Sequence, residues 1–320
     1  MSPEFDLIRR HFVRPMLRTR VGPGDDCALV RPSPGCELAI TSDMLVSGTH
    51  FLPDTDPHRL GWKTLAVNLS DLAAMGAAPR WVTLALSLPA ADERWLSSFA
   101  AGFFECAAHF GVDLIGGDTT RGPLNLCVTA MGEVPDGTAI QRSGARAGDE
   151  IWISGQPGRA ALGLSCLQGK VHLGADAHDG FIGALEQPLP KVALGTALRG
   201  IANAMIDVSD GLLADLGHIA GASALSATVE DDALPWQPLH AACDDHVAVR
   251  DALLAGGDDY ELLFCAPKRA HDALRALSQT LSLPLTRIGS MQTGNPGHVG
   301  LIDATGRELP VTRRGFDHFS

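Results

Sequence analysis

The sequence predicts an α/β (α+β) protein of two domains, and three observations carry that prediction. Apolar stretches that alternate like strands are interleaved with stretches whose apolar residues recur at helical spacing. A Gly-, Ala- and polar-rich segment, residues 135–148, separates two such series. Each series also runs from a strand through an Asp-rich turn into a helix, a pattern compatible with a remote duplication. With 320 residues, 45% of them hydrophobic, the chain is long enough for two cores. The expected domains are residues 1–135 and 136–320.

Residues 4–13 read as an N-terminal helix, after which VGPGDDCALV turns at Gly22 to Asp26. ELAITSD reads as a short strand, with Leu38 and Ile40 in alternation, that ends in Asp43. A helix is expected over residues 57–75, with Leu65, Leu69 and Leu72 on a core face and Thr64, Asn68, Asp71 and Met75 on another. WVTLALSLP is an apolar strand. Residues 92–110 set Trp95, Phe99, Phe103 and Ala107 at fourfold spacing, a helix that leads through VDLIGGDTTRG to the strand LNLCVTAMGEV. Beyond the junction DEIWISG restarts as a strand and GRAALGLSCLQGK as a helix, while residues 169–190 read as loop on their Gly, Asp and Pro content. LPKVALGTALRGI is helical, AMIDVSDGLLADLGHIAGAS a strand that becomes a helix, and ALLAGGDDYELLFCAP a loop and strand. The tail VTRRGFDHFS carries aromatic and His residues, unlike a solvated disordered tail.

The 37 acidic and 25 basic residues give a formal net charge of −12. That balance argues against a general nucleic-acid or anionic-membrane binder, since both reward basic patches. It allows a phosphate substrate where cations are recruited. No run of about 20 uncharged apolar residues occurs, and MSPEFDLIRRHFVRP lacks the apolar region of a signal peptide, so a cytoplasmic location is expected. The seven cysteines are widely spaced without a C-x-x-C pair and are expected to be reduced, buried thiols. The histidines show no metal-ligand spacing.

Acidic residues recur at or near predicted element ends: Asp25 with Asp26, Asp43, Asp71, Asp118, and Asp207 with Asp210. Carboxylates gathered from separate elements repel one another unless cations neutralise them. Hard oxygen ligands without Cys or His point to Mg2+ or Mn2+. Taken singly, each is equally an ordinary solvated Asp, and Asp71 alone fits a hydrogen bond to a loop amide as well as a metal. Asn68 is expected beside Asp71, orienting it or a metal-bound water. Gly22 and Gly24, Gly116 and Gly117, and Gly256 and Gly257 either bring backbone close to a phosphate or make ordinary turns. Neither G-x-x-x-x-G-K-[ST] nor G-x-G-x-x-G is present, so a nucleotide would be held mainly through metal.

GDDCALV, TSDMLVSGTHF, NLSDLAAMGAAP, LIGGDTTRG, RSGARAGD, IDVSDGLLADLGHI and GGDDYEL occur in this order over nearly the whole chain. Together they resemble the thiamine-monophosphate kinase family, within the superfamily that also contains aminoimidazole ribonucleotide synthetase and selenophosphate synthetase. The resemblance implies an N-terminal mixed-sheet domain, residues 1–135, that binds ATP and Mg2+ and forms a homodimer. It implies a C-terminal α/β domain of the aminoimidazole ribonucleotide synthetase-like type, residues 136–320, that completes the nucleotide and substrate site. The implied activity is ATP-dependent phosphorylation of thiamine monophosphate to thiamine diphosphate, the last step in making that cofactor, assisted by several Mg2+ ions.

Carried over position by position, Asp26, Thr41, Ser42, Asp43, Asp71, Asp118, Asp207 and Asp210 correspond to metal positions. Gly117, Asp118, Arg142 and Ser209 correspond to nucleotide positions, and His50, Asp258 and Phe316 to the thiamine-phosphate side. Two departures stand out. Asp258 replaces a Glu of the family, and Gln187-Pro188-Leu189-Pro190-Lys191 replaces an Arg-rich pattern, where Lys does not copy an Arg fork. By residue type alone, Arg142 is a phosphate contact or a surface ion pair, His50 a ligand contact or a satisfied half-buried ring, and Phe316 a stacking ring or a tail anchor.

The nucleophile of such a reaction is a phosphate monoester oxygen, whose second pKa of about 6 leaves it largely ionised at pH 7. No general base is therefore expected; Asp71, Asp118 and Asp210 would support a direct in-line transfer through the metal ions they hold. Two alternatives remain: another ATP-dependent enzyme of the superfamily, and a non-enzymatic nucleotide-binding regulatory subunit. The first is disfavoured because no Cys or Lys sits in a Gly-rich N-terminal motif, the second because the motif aspartates are retained.

Overall fold

A computed structural model describes residues 3–317, which divide into two compact units after Gly137, with the short segment Ala73–Gly76 grouping with the second. His318, Phe319 and Ser320 of the tail lie outside the described residues.

The first unit contains α1 (Pro3–Phe12), β1 (Cys36–Val46), α2 (Pro57–Ala74), β2 (Ala78–Leu88), α3 (Glu93–Phe110), β3 (Asp113–Arg121) and β4 (Asn125–Pro135). Its sheet runs β1-β4-β2-β3, with only β2 and β3 parallel. A parallel pair needs a crossover, and α3 supplies it. Asp92 caps α3 by accepting the amides of Arg94 and Trp95, and Gly111 closes it in the left-handed conformation, φ 64°. Helix α2 is buried on almost every side: Leu60, Leu65, Leu69 and Leu72 are in the core, and so are Lys63, Thr64 and Asn68. The second, polar face expected for it is therefore an interior face. Burial of each of its leucines contributes about 2 kcal/mol, which holds the helix firmly against the sheet.

Of three acidic residues expected at or near element ends, two lie inside strands and Asp71 is where it was expected, near a helix end. Asp43 sits within β1, because pairing with β4 runs on from Asp43↔Val128 to Val46↔Asn125. Asp118 sits within β3, opposite Ala85. Asp71 is in the last turn of α2. The segment between α1 and β1, residues 13–35, has isolated bridges only, and two carboxylates tether it. Asp113 accepts the amides of Leu17 (2.7 Å) and Arg18 (2.8 Å) and the Thr19 hydroxyl (2.8 Å). Glu133 accepts the Ser33 amide (2.7 Å) and hydroxyl (3.1 Å) together with Arg80 Nε (2.8 Å).

The second unit contains β5 (Glu150–Ser154), α4 (Arg159–Leu167), α5 (Ala175–Glu186), α6 (Val192–Ala197), β6 (Ala204–Asp207), α7 (Leu212–Ala222), β7 (Ser226–Glu230), α8 (Gln237–Ala242), α9 (His246–Ala255), β8 (Leu262–Ala266), α10 (His271–Leu281), β9 (Leu285–Gln292) and β10 (Val299–Ile302). Its sheet runs β10-β7-β9-β5-β8-β6, parallel only between β10 and β7. Strands β5 and β8 bury both faces. Ile151, Ile153, Leu263 and Cys265 pack with α7, while Trp152, Leu262 and Phe264 pack with Leu194, Leu198 and Leu274. Burial on both faces explains their continuous apolar sequence.

Residues 169–190 are not simply loop. Helix α5 forms there despite its glycines because Phe181, Ile182 and Leu185 are buried, so packing overrides propensity. Ala252 to Ala255, expected in a loop, end α9, which Asp245 caps. All seven cysteines are unpaired, but only Cys106, Cys243 and Cys265 are buried, and Cys27 is exposed.

The tether at Glu133 makes a prediction about pH. Burial raises its carboxyl, but the Arg80 bond and the Ser33 donors outweigh that and hold it below its usual value of 4.5. The stability it contributes is present above that value and is lost as pH falls through the lowered one. Glu133→Gln should cost about 2 kcal/mol near pH 7, and the deficit should narrow as pH falls below about 4.5. Urea unfolding of both proteins at pH 7 and pH 3.5 measures it.

Candidate functional site

A cavity of about 800 Å3 opens in the first unit. Asp25, Asp26, Gly117 and Asp118 line it together with apolar residues of α1 and β2, among them Ile8, Phe12 and Leu84. The tethered 13–35 segment brings Asp26 there, and the β3 backbone brings Asp118. Gly117 is required at that point: its φ is 148°, and a Cβ would lie 1.8 Å from Leu84 O of the neighbouring strand. Three sequence-predicted positions, Asp26, Gly117 and Asp118, thus share one polar wall.

A second polar group lies between β1 and α2. Thr41 and Asp43 project from the same side of β1, two residues apart. The Thr41 hydroxyl donates to Asp71 Oδ2. Asn68 accepts the main-chain amide of Asp43 (2.9 Å) and donates to Thr64 O (3.2 Å), so it fixes Asp43 rather than Asp71. Burial, and then the nearby Asp71 carboxylate, push the Asp43 carboxyl up to about 6. Two acidic groups held together in a partly dry setting disfavour full ionisation unless a cation joins them. Ser42 alternates to the other side of the strand, where its hydroxyl bonds Val128 O (3.0 Å) and Thr129 Oγ1 (3.2 Å), so its side chain does not join Thr41 and Asp43.

At the end of β1 the Val46 amide donates to His50 Nδ1 (3.0 Å), which puts the proton of the neutral ring on Nε2.

The second unit gathers the other positions around one loop. Asp207 is buried at the end of β6, and Ser209, Asp210 and Gly211 lead into α7. Asp215, which sequence reasoning did not single out, accepts the amides of Ser209, Asp210 and Gly211 through one oxygen, each at 3.1 Å. Burial is the main reason its carboxyl is pushed up to about 7; the amides oppose the rise and Asp210 adds to it. Ligand atoms of Asp210, Asp215 and His218 lie within 4.8 Å of one another. The available signal was an acidic residue in the first turn of α7, where it reaches back to the amides that open the helix.

Main-chain bonds join this loop to two more segments. Asp258 N donates to Ser209 O (2.9 Å), and Phe316 N donates to Asp210 O (2.9 Å). Gly257 permits the first contact, since a Cβ there would lie 2.2 Å from Ser209 O. Ser209, Asp210, Asp258 and Phe316 are therefore brought together. Phe316 is 45% exposed, and its main-chain bond to Asp210 helps anchor the tail. Arg142 lies exposed in the turn Arg142–Gly144 and makes no ion pair among the described residues. Lys191, by contrast, is turned inward to Glu261 (3.3 Å) and Leu189 O (3.0 Å).

Residues 24–134 match the family described as AIR synthase related protein, N-terminal domain, and residues 146–301 match AIR synthase related protein, C-terminal domain. Thiamine-monophosphate kinase of Salmonella typhimurium is 46% identical, over 99% of this chain and 98% of its own. The crystal structure of thiamine-monophosphate kinase from Stenotrophomonas maltophilia has a TM-score of 0.83 at 48% identity, covering 92% of this chain and 94% of that one. The structure of AaThiL complexed with AMPPCP and TMP has a TM-score of 0.77 at 28% identity, covering 98% and 96%.

Asp215→Ala strands three amides at the start of α7 and should lower stability by about 2–3 kcal/mol. Asp215→Asn keeps an acceptor oxygen and should recover most of that loss. Chemical denaturation of the two variants beside the wild type tests the assignment.

Proposed function

Because the chain belongs to the AIR synthase related family and aligns end to end with thiamine-monophosphate kinases, we propose that it phosphorylates thiamine monophosphate with ATP, yielding thiamine diphosphate and ADP. The observation that carries this reading is the Asp43 and Asp71 pair, whose shared charge calls for a divalent cation. The bound AMPPCP, an ATP analogue, and TMP of the AaThiL complex supply the substrate classes.

The donors suit Mg2+: they are carboxylate and hydroxyl oxygens on fixed elements, with no Cys among them. Within the first unit Asp26, Thr41, Asp43, Asp71 and Asp118 would hold Mg2+ ions, and within the second Asp207 and Asp210 would do the same; for Ser42 the hydroxyl is engaged elsewhere, so any part it plays is through the main chain. Bound there, Mg2+ supplies charge neutralisation for two polyanions that otherwise repel by several kcal/mol, at about 4 Å and an effective dielectric of about 20.

The chain's residues then have distinct tasks. Gly117, Arg142 and Ser209 serve ATP, with Arg142's unengaged guanidinium suited to a phosphate. His50, Asp258 and Phe316 serve thiamine monophosphate. The ionised monoester oxygen attacks the terminal phosphorus of ATP, the new O–P bond forms as the bond to ADP breaks, and no side chain needs to remove a proton. No covalent phosphoenzyme forms in this scheme.

A homodimer through the first unit belongs to the same reading. Ile40 and Met44 are 62% and 53% exposed on one face of β1, an edge strand, and a second copy would cover them. A cytoplasmic setting fits seven unpaired cysteines. Among the described residues no helix is long and apolar enough to cross a membrane.

ADP release measured with Mg2+ and ATP should rise at least tenfold when thiamine monophosphate is added and should stay at background with thiamine. Absence of that stimulation removes the kinase reading. Asp71→Asn should lower kcat by at least about 10³-fold, several kcal/mol of lost transition-state stabilisation, with an unchanged melting profile. Rapid-quench sampling should find the transferred phosphoryl group in thiamine diphosphate and no acid-stable phosphoprotein.

A further inference from the structure

Residues Asp258 and Tyr260 both occupy the left-handed backbone region, at φ 66° and 51°, although neither is glycine. Each such residue costs about 1–3 kcal/mol and persists only where the surroundings over-determine it. The surroundings here are explicit. Asp259, between them, accepts the amides of Gly158 (2.5 Å) and Ala160 (3.3 Å) at the start of α4. Glu261, buried, accepts the Ser154 hydroxyl (2.6 Å) and the Gln156 amide (3.4 Å) and pairs with Lys191 (3.3 Å). Main-chain bonds tie Tyr260 N to Val208 O (2.9 Å) and Val208 N to Glu261 O (2.8 Å).

Asp259 and Glu261 thus clamp the loop that carries the strained residues Asp258 and Tyr260. There the Tyr260 hydroxyl donates to Asp258 Oδ1 at 2.9 Å. We propose that Tyr260 is a positioning residue for substrate recognition: on a loop clamped by Asp259, Glu261 and Lys191, its hydroxyl fixes the Asp258 carboxylate in the orientation that meets thiamine monophosphate. The inference rests on the reading that Asp258 contacts that substrate. A carboxylate repels the substrate's phosphate, so its partner is the cationic heteroaromatic part of the molecule.

Steady-state kinetics of Tyr260→Phe, Asp258→Ala and the double variant test the inference, with a melting curve for each. Tyr260→Phe should raise KM for thiamine monophosphate about tenfold, the size of one hydrogen bond to a charged group. KM for ATP and kcat should stay within twofold. The double variant should match Asp258→Ala, because Tyr260 acts through Asp258. Additive losses in the double variant, an unchanged KM in Tyr260→Phe, or equal losses toward both substrates overturn the positioning role while Asp258→Ala alone still reports on the contact. An unchanged KM in Asp258→Ala overturns the contact reading itself and the inference with it. Should Tyr260→Phe melt early, Lys191→Arg against Lys191→Met carries the same readout: the Arg variant should keep KM for thiamine monophosphate and the Met variant raise it, and equal values for the two sink the clamp.

Discussion

Mutual repulsion between carboxylates is the constraint on which this molecule is built. Burial, and then the neighbouring Asp71 carboxylate, raise the Asp43 carboxyl to about 6, and only rigid neighbours keep such a pair from moving apart. Strand β1 and helix α2 provide that rigidity. The strand is fixed by its long pairing with β4, and the helix by burial on nearly all sides. Asn68, wholly buried, then bonds the strand's backbone directly at Asp43. The same pair on a surface loop would relax apart, and its affinity for a cation would fall with it.

The second unit meets the same constraint with backbone amides instead of packing. Asp215 takes three consecutive amides, which holds Ser209 and Asp210 at the opening of α7. Residues near Asp258 and the main chain of Phe316 are bonded onto that loop. Close backbone contact at Gly257 makes the arrangement intolerant of any side chain there. The loop is therefore stiff at its backbone, and small displacements of groups held in this way are costly wherever they meet a reacting ligand.

Much of this was legible in the sequence, and the exceptions have physical causes. Alternation and helical spacing locate β1, α2, β2, α3, β4, β5 and α7, since each buries one defined face or a continuous apolar run. The strand ends were misjudged around Asp43 and Asp118, because a polar residue facing a site looks like a turn. Helix α5 was hidden by its glycines and acidic residues, and its Phe181 and Ile182 become decisive only once packed. Motif order singles out Asp26 and Asp118, which line one cavity, and Asp43 and Asp71, which lie together. Asp215 and Tyr260 were not legible in this way, since their roles depend on which amide or carboxylate lies opposite, and spacing does not encode that.

Residue type does not separate the two kinds of Asp and Glu in this chain; their hydrogen-bond partners do. Asp113, Glu133, Asp215 and Asp259 each accept main-chain amides, and each fastens a segment that carries other acidic residues. Asp113 and Glu133 hold the segment bearing Asp26, Asp215 holds Asp210, and Asp259 holds Asp258. An amide donor satisfies a carboxylate at fixed geometry and releases no charge to a ligand, so these four serve the scaffold. Asp43 instead lies beside another carboxylate, and Asp26 and Asp118 are exposed at the cavity of the first unit. Fastening acidic segments through main-chain amides lets the chain hold them largely without recruiting basic side chains, which is consistent with its net charge of −12.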